Sequence, residues 1–359
     1  MKSPVLTAIA LVSALLLTPF AARAQTPTFQ SVLDGARKEG SLTIWVSSPG
    51  KPDTHAALFA AFNKRFGLQV KGEWSPAGSV QTGARLVAEK GSGKGAIDIV
   101  GAGGAEEVAV LFGRDMLKPY PWAEVFGKEL PQIGTVAGWA MADLKNIALP
   151  LFDAVYGIAW NSDLIKDADV PSKLADLVDP KWNGKLAANA FFLIPFDMTA
   201  HAIGQDATTG LIRKLIDNKP VLERGTPAVG RAVAVGQVPL GVTTFHAAAR
   251  SGTPDKPQKF KLPADFIPII AAHVYVPENA PHPNAARLFA AWLVTEGVAV
   301  AEKFEMLPRA GDASSPLGKQ VKEAQAKGAK IAAAPSLAAV KQHEVLRKKI
   351  ADMLTGVAK

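Results

Sequence analysis

The chain has 359 residues, a formal net charge of +8 and no cysteine. Absence of cysteine excludes a disulfide framework, a thiol nucleophile and a thioether lipid anchor, so packing alone must hold the fold. The length suffices for two domains, each with its own core.

The first residues carry a secretory pattern. Lys2 supplies the positive start, Val5 to Leu17 is almost wholly apolar, and Ala22-Arg23-Ala24 places small residues where a signal peptidase reads. Residues 1–24 are therefore expected to leave as a signal peptide, with the mature protein freely diffusing in the periplasm. The apolar run is too short to span a bilayer, and nothing after Leu17 looks transmembrane. Lys2 and Arg23 leave with the leader. Residues 315–359 hold nine bases against three acids, which accounts for all the remaining excess and leaves residues 25–314 formally neutral. The basic balance thus describes a tail, not a binding site, and no nucleic-acid partner is expected. A run such as Arg347-Lys348-Lys349 reads as a solvated helix face.

Phe29 to Lys38 predicts a helix closed by Gly40, and Ser41 to Val46 a buried strand. Ser47-Ser48-Pro49-Gly50 then turns into a helix from about Thr54 to Phe66. Strand and helix recur at Leu68 to Trp74 and Ser79 to Lys90, and Ala96 to Val100 predicts a further strand before Gly101-Ala102-Gly103-Gly104 and another helix start. Such alternation favours a largely parallel sheet with helices on both faces. Leu149 to Asp163 reads as a long apolar strand. Val274-Tyr275-Val276 is a short strand, followed by a breaker stretch and an amphipathic helix carrying Ala285, Leu288, Phe289, Trp292 and Leu293. Lys319 to Lys359 reads as helices interrupted at Pro335.

Two stretches carry a family resemblance. One is the strand-turn-helix segment Val274 to Gly297. The other joins the end of the long strand to Val170-Pro171-Ser172-Lys173-Leu174-Ala175-Asp176-Leu177 and Asp179-Pro180-Lys181-Trp182-Asn183-Gly184-Lys185. In order and spacing these resemble the extracellular solute-binding proteins of bacterial ABC importers, in the ferric, thiamine and phosphonate group. The likeness covers most of the mature chain. It implies a two-lobed α/β clamp of the type 2 periplasmic binding fold, each lobe a mixed sheet flanked by helices, with a hinge between. Residues 26–152 and 272–308 are expected in the first lobe, and 153–271 and 309–359 in the second. The chain is expected to cross between them near Phe152 to Ala154, Ile270 to Ala272 and Pro308 to Asp312.

In open parallel sheets, helix N-termini beyond the strand ends favour anions or polar oxygens. Ser47 and Ser48 offer hydroxyls there, and Gly103 and Gly104 offer bare amides. Either loop is also explained as a turn that needs small residues; the resemblance favours solute contact for Ser47 and Ser48. The stretch Gly241 to Arg250 stands where ferric-binding members present adjacent tyrosines, phenolate being a hard ligand for a trivalent cation. Here Thr244-Phe245-His246 occupies that place, which disfavours bare ferric iron. His246 and Arg250 either hold a carboxylate or phosphate or are a capped histidine and a surface arginine. Phe191, Phe192 and Phe196 stack on an organic ligand or belong to the core. Asp153 and Tyr156, near the first crossing, are candidate cleft residues that contact solute, whereas Asp98 is expected to cap an amide.

Catalytic constellations are missing. Gly91-Ser92-Gly93-Lys94-Gly95 lacks the Ser or Thr of a phosphate loop, Gly101 to Glu106 lacks the third glycine of a dinucleotide fingerprint, and no Gly-x-Ser-x-Gly occurs. The expectation is therefore not an enzyme and no cofactor. It is a monomeric periplasmic component that captures a small polar or anionic organic solute for an inner-membrane ABC permease and its ATPase. One alternative is a ferric or metal-chelate binder of the same fold, with Tyr156, His246 and Tyr275 as ligands; another is a secreted hydrolase or transferase.

Overall fold

Ser41–Val46 alternates half-buried and fully buried residues, with Leu42, Ile44 and Val46 enclosed, the period-two pattern of a strand. This strand, β1, belongs to a ten-stranded sheet system in a computed structural model that describes residues 26–77, 79–92, 95–253, 255 and 257–356. The leader, Gly93-Lys94 of the phosphate-loop-like stretch and Lys359 of the basic tail lie outside the described residues.

The other strands are β2 (Lys71–Ser75), β3 (Ile99–Gly103), β4 (Leu149–Asn161), β5 (Leu186–Asn189), β6 (Val221–Glu223), β7 (Leu240–Thr244), β8 (Gln258–Lys261), β9 (Phe266–Tyr275) and β10 (Lys330–Ala332). Their spatial order is β2-β1-β3-β9-β4-β7-β5-β6, with β10 beside β9 and β8 beside β4. β1, β2 and β3 are mutually parallel, as are β5, β6 and β7. β4 and β9 run antiparallel to each other and join the two parallel sets. β4 pairs with β9 over Leu149 to Val155 and with β7 over Tyr156 to Trp160, so this one strand belongs to both halves.

Each half has its own core. In the first, Phe62 packs on Phe289 and Trp292 at 4.9 and 5.5 Å between ring centroids, and Leu86, Val108, Leu111 and Tyr275 fill the opposite face. In the second, Ile158, Leu186, Phe196, Ile212 and Leu240 pack with Leu346 and Ile350. Val155 and Ile267 of the joining strands are covered separately by Leu317 and Val321. Two cores joined through a narrow strand pair is the arrangement that permits hinge motion.

The first helix, Phe29–Glu39, ends where Gly40 takes φ 62°, a left-handed stop that glycine adopts without strain. The strand expected at Ala96 to Val100 lies at Ile99–Gly103 instead, because Asp98 is committed to bracing. Its Oδ2 accepts from the Thr43 amide at 2.8 Å and its Oδ1 from the His282 amide at 2.6 Å. The short strand expected at Val274 is the end of ten-residue β9. The helix expected from Ala285 runs Pro283–Trp292 and continues through a π turn, Leu293–Gly297. In the tail, the helices Pro316–Ala326 and Leu337–Leu354 start under Ser315 and Ser336, whose side chains accept from Gly318 and Ala339 amides. β10, which lies between them, has no counterpart among the elements expected from the sequence.

The Leu337–Leu354 helix touches both halves. Its first amide donates to Asp143 at 2.7 Å and Leu337 packs on the Leu86 cluster, while Leu346, Ile350 and Met353 enter the second core. The solvated face expected for Arg347-Lys348-Lys349 is correct only for the lysines. Arg347 is turned inward.

Candidate functional site

The loop after β1 enters the Pro52–Phe66 helix with Pro at its first position. Its amides are already engaged. Glu305 Oε1 accepts from Gly50 N at 2.9 Å, Lys51 N at 2.7 Å and the Thr54 hydroxyl at 2.9 Å. Glu305 thus places an internal carboxylate on the positive end of this helix. Burial pushes its pKa up, but the two amides, Thr54 and Arg250 together hold it below the usual range. Ser47 and Ser48 remain half-buried beside this seat.

Arg250 approaches from the other half, its guanidinium 3.5 Å from Glu305 Oε2. The arginine proposed to hold a solute anion therefore already faces a carboxylate. Thr244 ends β7 with its hydroxyl accepting from the Ala247 amide at 3.3 Å, capping the short Phe245–Ser251 helix. His246 follows, edge-on to Phe152 at 5.8 Å. Burial and then Arg250 lower the His246 pKa to about 4, so at neutral pH the ring is uncharged and does not titrate there as the sequence suggested. Tyr156 is enclosed at the foot of the same wall, its hydroxyl 3.5 Å from Thr226, which also accepts from Asn189 at 3.4 Å. Desolvation raises Tyr156 to about 12.

On the first half, Gly103 ends β3 opposite His273, and Gly104 starts the Ala105–Phe112 helix, whose first turn carries Glu106 and Glu107. A Cβ on Gly104 would come within 2.8 Å of Glu106 Oε2, so glycine lets that carboxylate lie close over the backbone. Glu106 Oε1 is 3.3 Å from Arg347, whose Nε donates to Asp197 at 2.8 Å. His343 Nε2 lies 2.9 Å from the same Asp197 oxygen. Desolvation opposes the Arg347 charge, but Asp197 and Glu106 outweigh it and raise the pKa. A cavity of about 400 Å³ opens beside this cluster, walled by Glu106, Leu151, Phe152, Met198, Ile270 and Arg347.

Asp153 also lines that cavity, yet its work is structural. Its Oδ2 accepts from the Ala310 amide and its own amide donates to Pro308, each at 2.7 Å. Burial raises its pKa. Arg309 donates to the Leu151 and Val294 carbonyls at 2.9 and 2.6 Å, and desolvation lowers it to about 10. These bonds fasten the returning chain to the crossing strands.

Tyr275 is the one nominated residue that the structure removes from the others. It is fully buried among Leu86, Ile97, Val108 and Leu117, and burial drives its pKa upward. It therefore does not converge with Tyr156 and His246 as a ligand set. Among the described residues no group of three or more His, Cys, Asp or Glu could hold a metal. Of the aromatics, Phe196 is core, Phe192 is half-buried and Phe191 is 55% exposed. Sequence reasoning missed Glu305, Glu106, Asp197 and Arg347. Only Arg347 left a signal, the helical spacing His343, Leu346, Arg347, Ile350.

Two α/β halves that share a pair of antiparallel strands and meet through facing loops define a two-lobed binding protein of the type 2 periplasmic class. The chain belongs to the bacterial extracellular solute-binding protein family, which matches residues 48–300. Solved structures share the fold. Iron-bound HitA from Pseudomonas aeruginosa aligns with a TM-score of 0.66 and 17% identity, over 86% of this chain and 99% of that one. AfuA from Actinobacillus pleuropneumoniae, with fructose-6-phosphate bound, aligns at 0.64 and 18%, over 88% and 99%. An ABC transporter substrate-binding protein from Agrobacterium tumefaciens aligns at 0.68 and 15%, over 89% and 96%. No curated protein sequence matches the chain significantly. Among the described residues no helix is long and apolar enough to cross a membrane.

Proposed function

We propose that this chain captures a small polar or anionic organic solute between its lobes in the periplasm, as a monomer, and hands it to an ABC permease with its ATPase. Residues 26–152 and 272–308 form one lobe in this reading and 153–271 and 309–359 the other, with β4 and β9 as the hinge. Ser47, Ser48, Gly103, Gly104, Tyr156, Thr244, His246 and Arg250 border the solute space, and Asp153 braces its floor. Binding without turnover belongs to the proposal, and no residue is assigned a catalytic step.

The observation that carries it is the pair of contacts between the halves, Arg250 with Glu305 and Arg347 with Glu106. Groups from both sides meet at each of the two contacts, so a solute held between the halves touches both lobes only when they are closed and shifts the population that way. Micromolar capture corresponds to about 8 kcal/mol, within reach of a few charge-assisted hydrogen bonds and apolar burial. Native mass spectrometry of protein purified without refolding should identify a retained small molecule. X-ray scattering should then show a smaller radius of gyration with it than after its removal. A scattering profile indifferent to that molecule would refute capture by closure.

A further inference from the structure

Two of the three seats between the lobes that would favour negative charge already hold carboxylates of the chain itself, and the third is taken by backbone carbonyls. The start of the Pro52–Phe66 helix and Arg250 share Glu305. Arg347 is shared by Asp197 and Glu106, and Arg309 is engaged by two carbonyls beside Asp153. Three guanidiniums thus stand among four carboxylates. Burial lowers His201 and His246 to about 4, so neither ring adds positive charge at neutral pH. At Arg347, which lines the cavity beside Glu106, an anionic solute would have to draw the guanidinium away from Asp197 and leave that buried carboxylate uncompensated, which is costly.

Glu106 is placed differently. Its side chain is 28% exposed and lines the cavity. One oxygen is turned to Arg347 and the other lies over Gly104. Beside it, Leu151, Phe152, Met198 and Ile270 present hydrocarbon, and the space of about 400 Å³ has room for a chain of several carbons.

We infer that the solute is a small organic cation, an ammonium group on an apolar body, with Glu106 receiving the ammonium and the Leu151, Phe152, Met198 and Ile270 wall receiving the body. The inference rests on the proposed capture between the lobes but seats the solute in this cavity, which Asp153 alone of the residues assigned to the solute space lines; of the polar and anionic alternatives it selects a polar, positively charged molecule. Arg347 then acts as a positioning residue that holds Glu106 toward the cavity.

The test uses the full mature chain and three probes of one skeleton, hexylamine, hexanol and hexanoate, titrated by calorimetry. Hexylamine should bind at least about tenfold more tightly than either other probe. Glu106→Gln should weaken hexylamine by about tenfold and leave hexanol unchanged. Should that variant fail to fold, the salt dependence of the wild type serves: hexylamine affinity should fall with added salt and hexanol affinity should not. Hexanoate binding as tightly as hexylamine, no hexylamine binding at millimolar concentration, or an affinity indifferent to both Glu106 and salt would overturn the inference. Scattering separates the two claims. Lobe closure driven by hexanoate overturns the cation and leaves capture standing, whereas tight hexylamine binding with no change in shape keeps the cation and removes closure.

Discussion

Two arginines reach between the lobes, and their surroundings differ. Arg250 is 47% exposed and meets Glu305 at 3.5 Å. Arg347 is 17% exposed, 2.8 Å from fully buried Asp197 and 3.3 Å from Glu106. A loose pair at a wet rim contributes little and exchanges readily, whereas a buried shared guanidinium compensates charges that cannot otherwise be solvated. The rim pair therefore suits a contact remade in each opening cycle, and the inner cluster suits a fixed anchor for the last helix.

The largest effect should come from breaking the anchor. Arg347→Ala leaves Asp197 buried beside His343 without its guanidinium, and should lower stability by about 3–5 kcal/mol, read in denaturant unfolding. Arg347→Met combined with Asp197→Asn removes both charges and should recover most of that loss. If the single variant costs less than about 1 kcal/mol, the inner cluster behaves as a rim pair and the contrast collapses.

Acid probes the same contrast. Burial lowers the pKa of His201, His246 and His273 from 6.5 to about 4. Between those limits the unfolded chain binds protons that the folded chain refuses, so the histidine contribution to stability should fall as pH drops from about 6.5 to 4, and the lowered Glu305 carboxyl adds a further loss at more acid pH. For His273, 2% exposed, the loss is on the order of 3 kcal/mol. His273→Gln should flatten the acid limb of a melting-temperature profile. An unchanged limb would show that the buried imidazole is protonated in the fold.

What was legible in the sequence follows from the range of the cause. Strand and helix alternation and the turn at Ser47 to Gly50 depend on residues a few positions apart, and period and side-chain chemistry reveal them. Asp98 was readable for a different reason: an acid beside an apolar strand must find donors, wherever along the chain they lie, and it takes the Thr43 and His282 amides. Glu305 was not, because its partners Gly50, Lys51 and Thr54 lie some 250 positions away, and an isolated glutamate beyond a helix end carries no pattern. Arg347 shows the intermediate case. Its basic neighbours argued for solvent, while its spacing with His343, Leu346 and Ile350 argued for the inner face, and packing decided. Tyr275 failed because a tyrosine in a β-prone stretch looks alike whether its ring enters a cleft or a core.

The smallest effects belong to the rim. Glu305→Ala removes the acceptor of two helix-start amides and the Thr54 hydroxyl, so it should cost about 1–2 kcal/mol, the range of a lost helix cap. Glu305→Gln keeps an oxygen for those donors and should cost less. Arg250→Ala should change stability by under about 1 kcal/mol, and most of that change should be lost in molar salt, because the guanidinium is half-exposed and stands 3.5 Å from its partner. What Arg250→Ala should alter is shape: with the pair gone, the ligand-free chain should populate wider lobe separations, read as a larger radius of gyration at low salt. An identical radius in wild type and variant would mean that the rim contact follows closure without favouring it, and would leave the Arg347 cluster as the sole ionic tie between the lobes among the described residues.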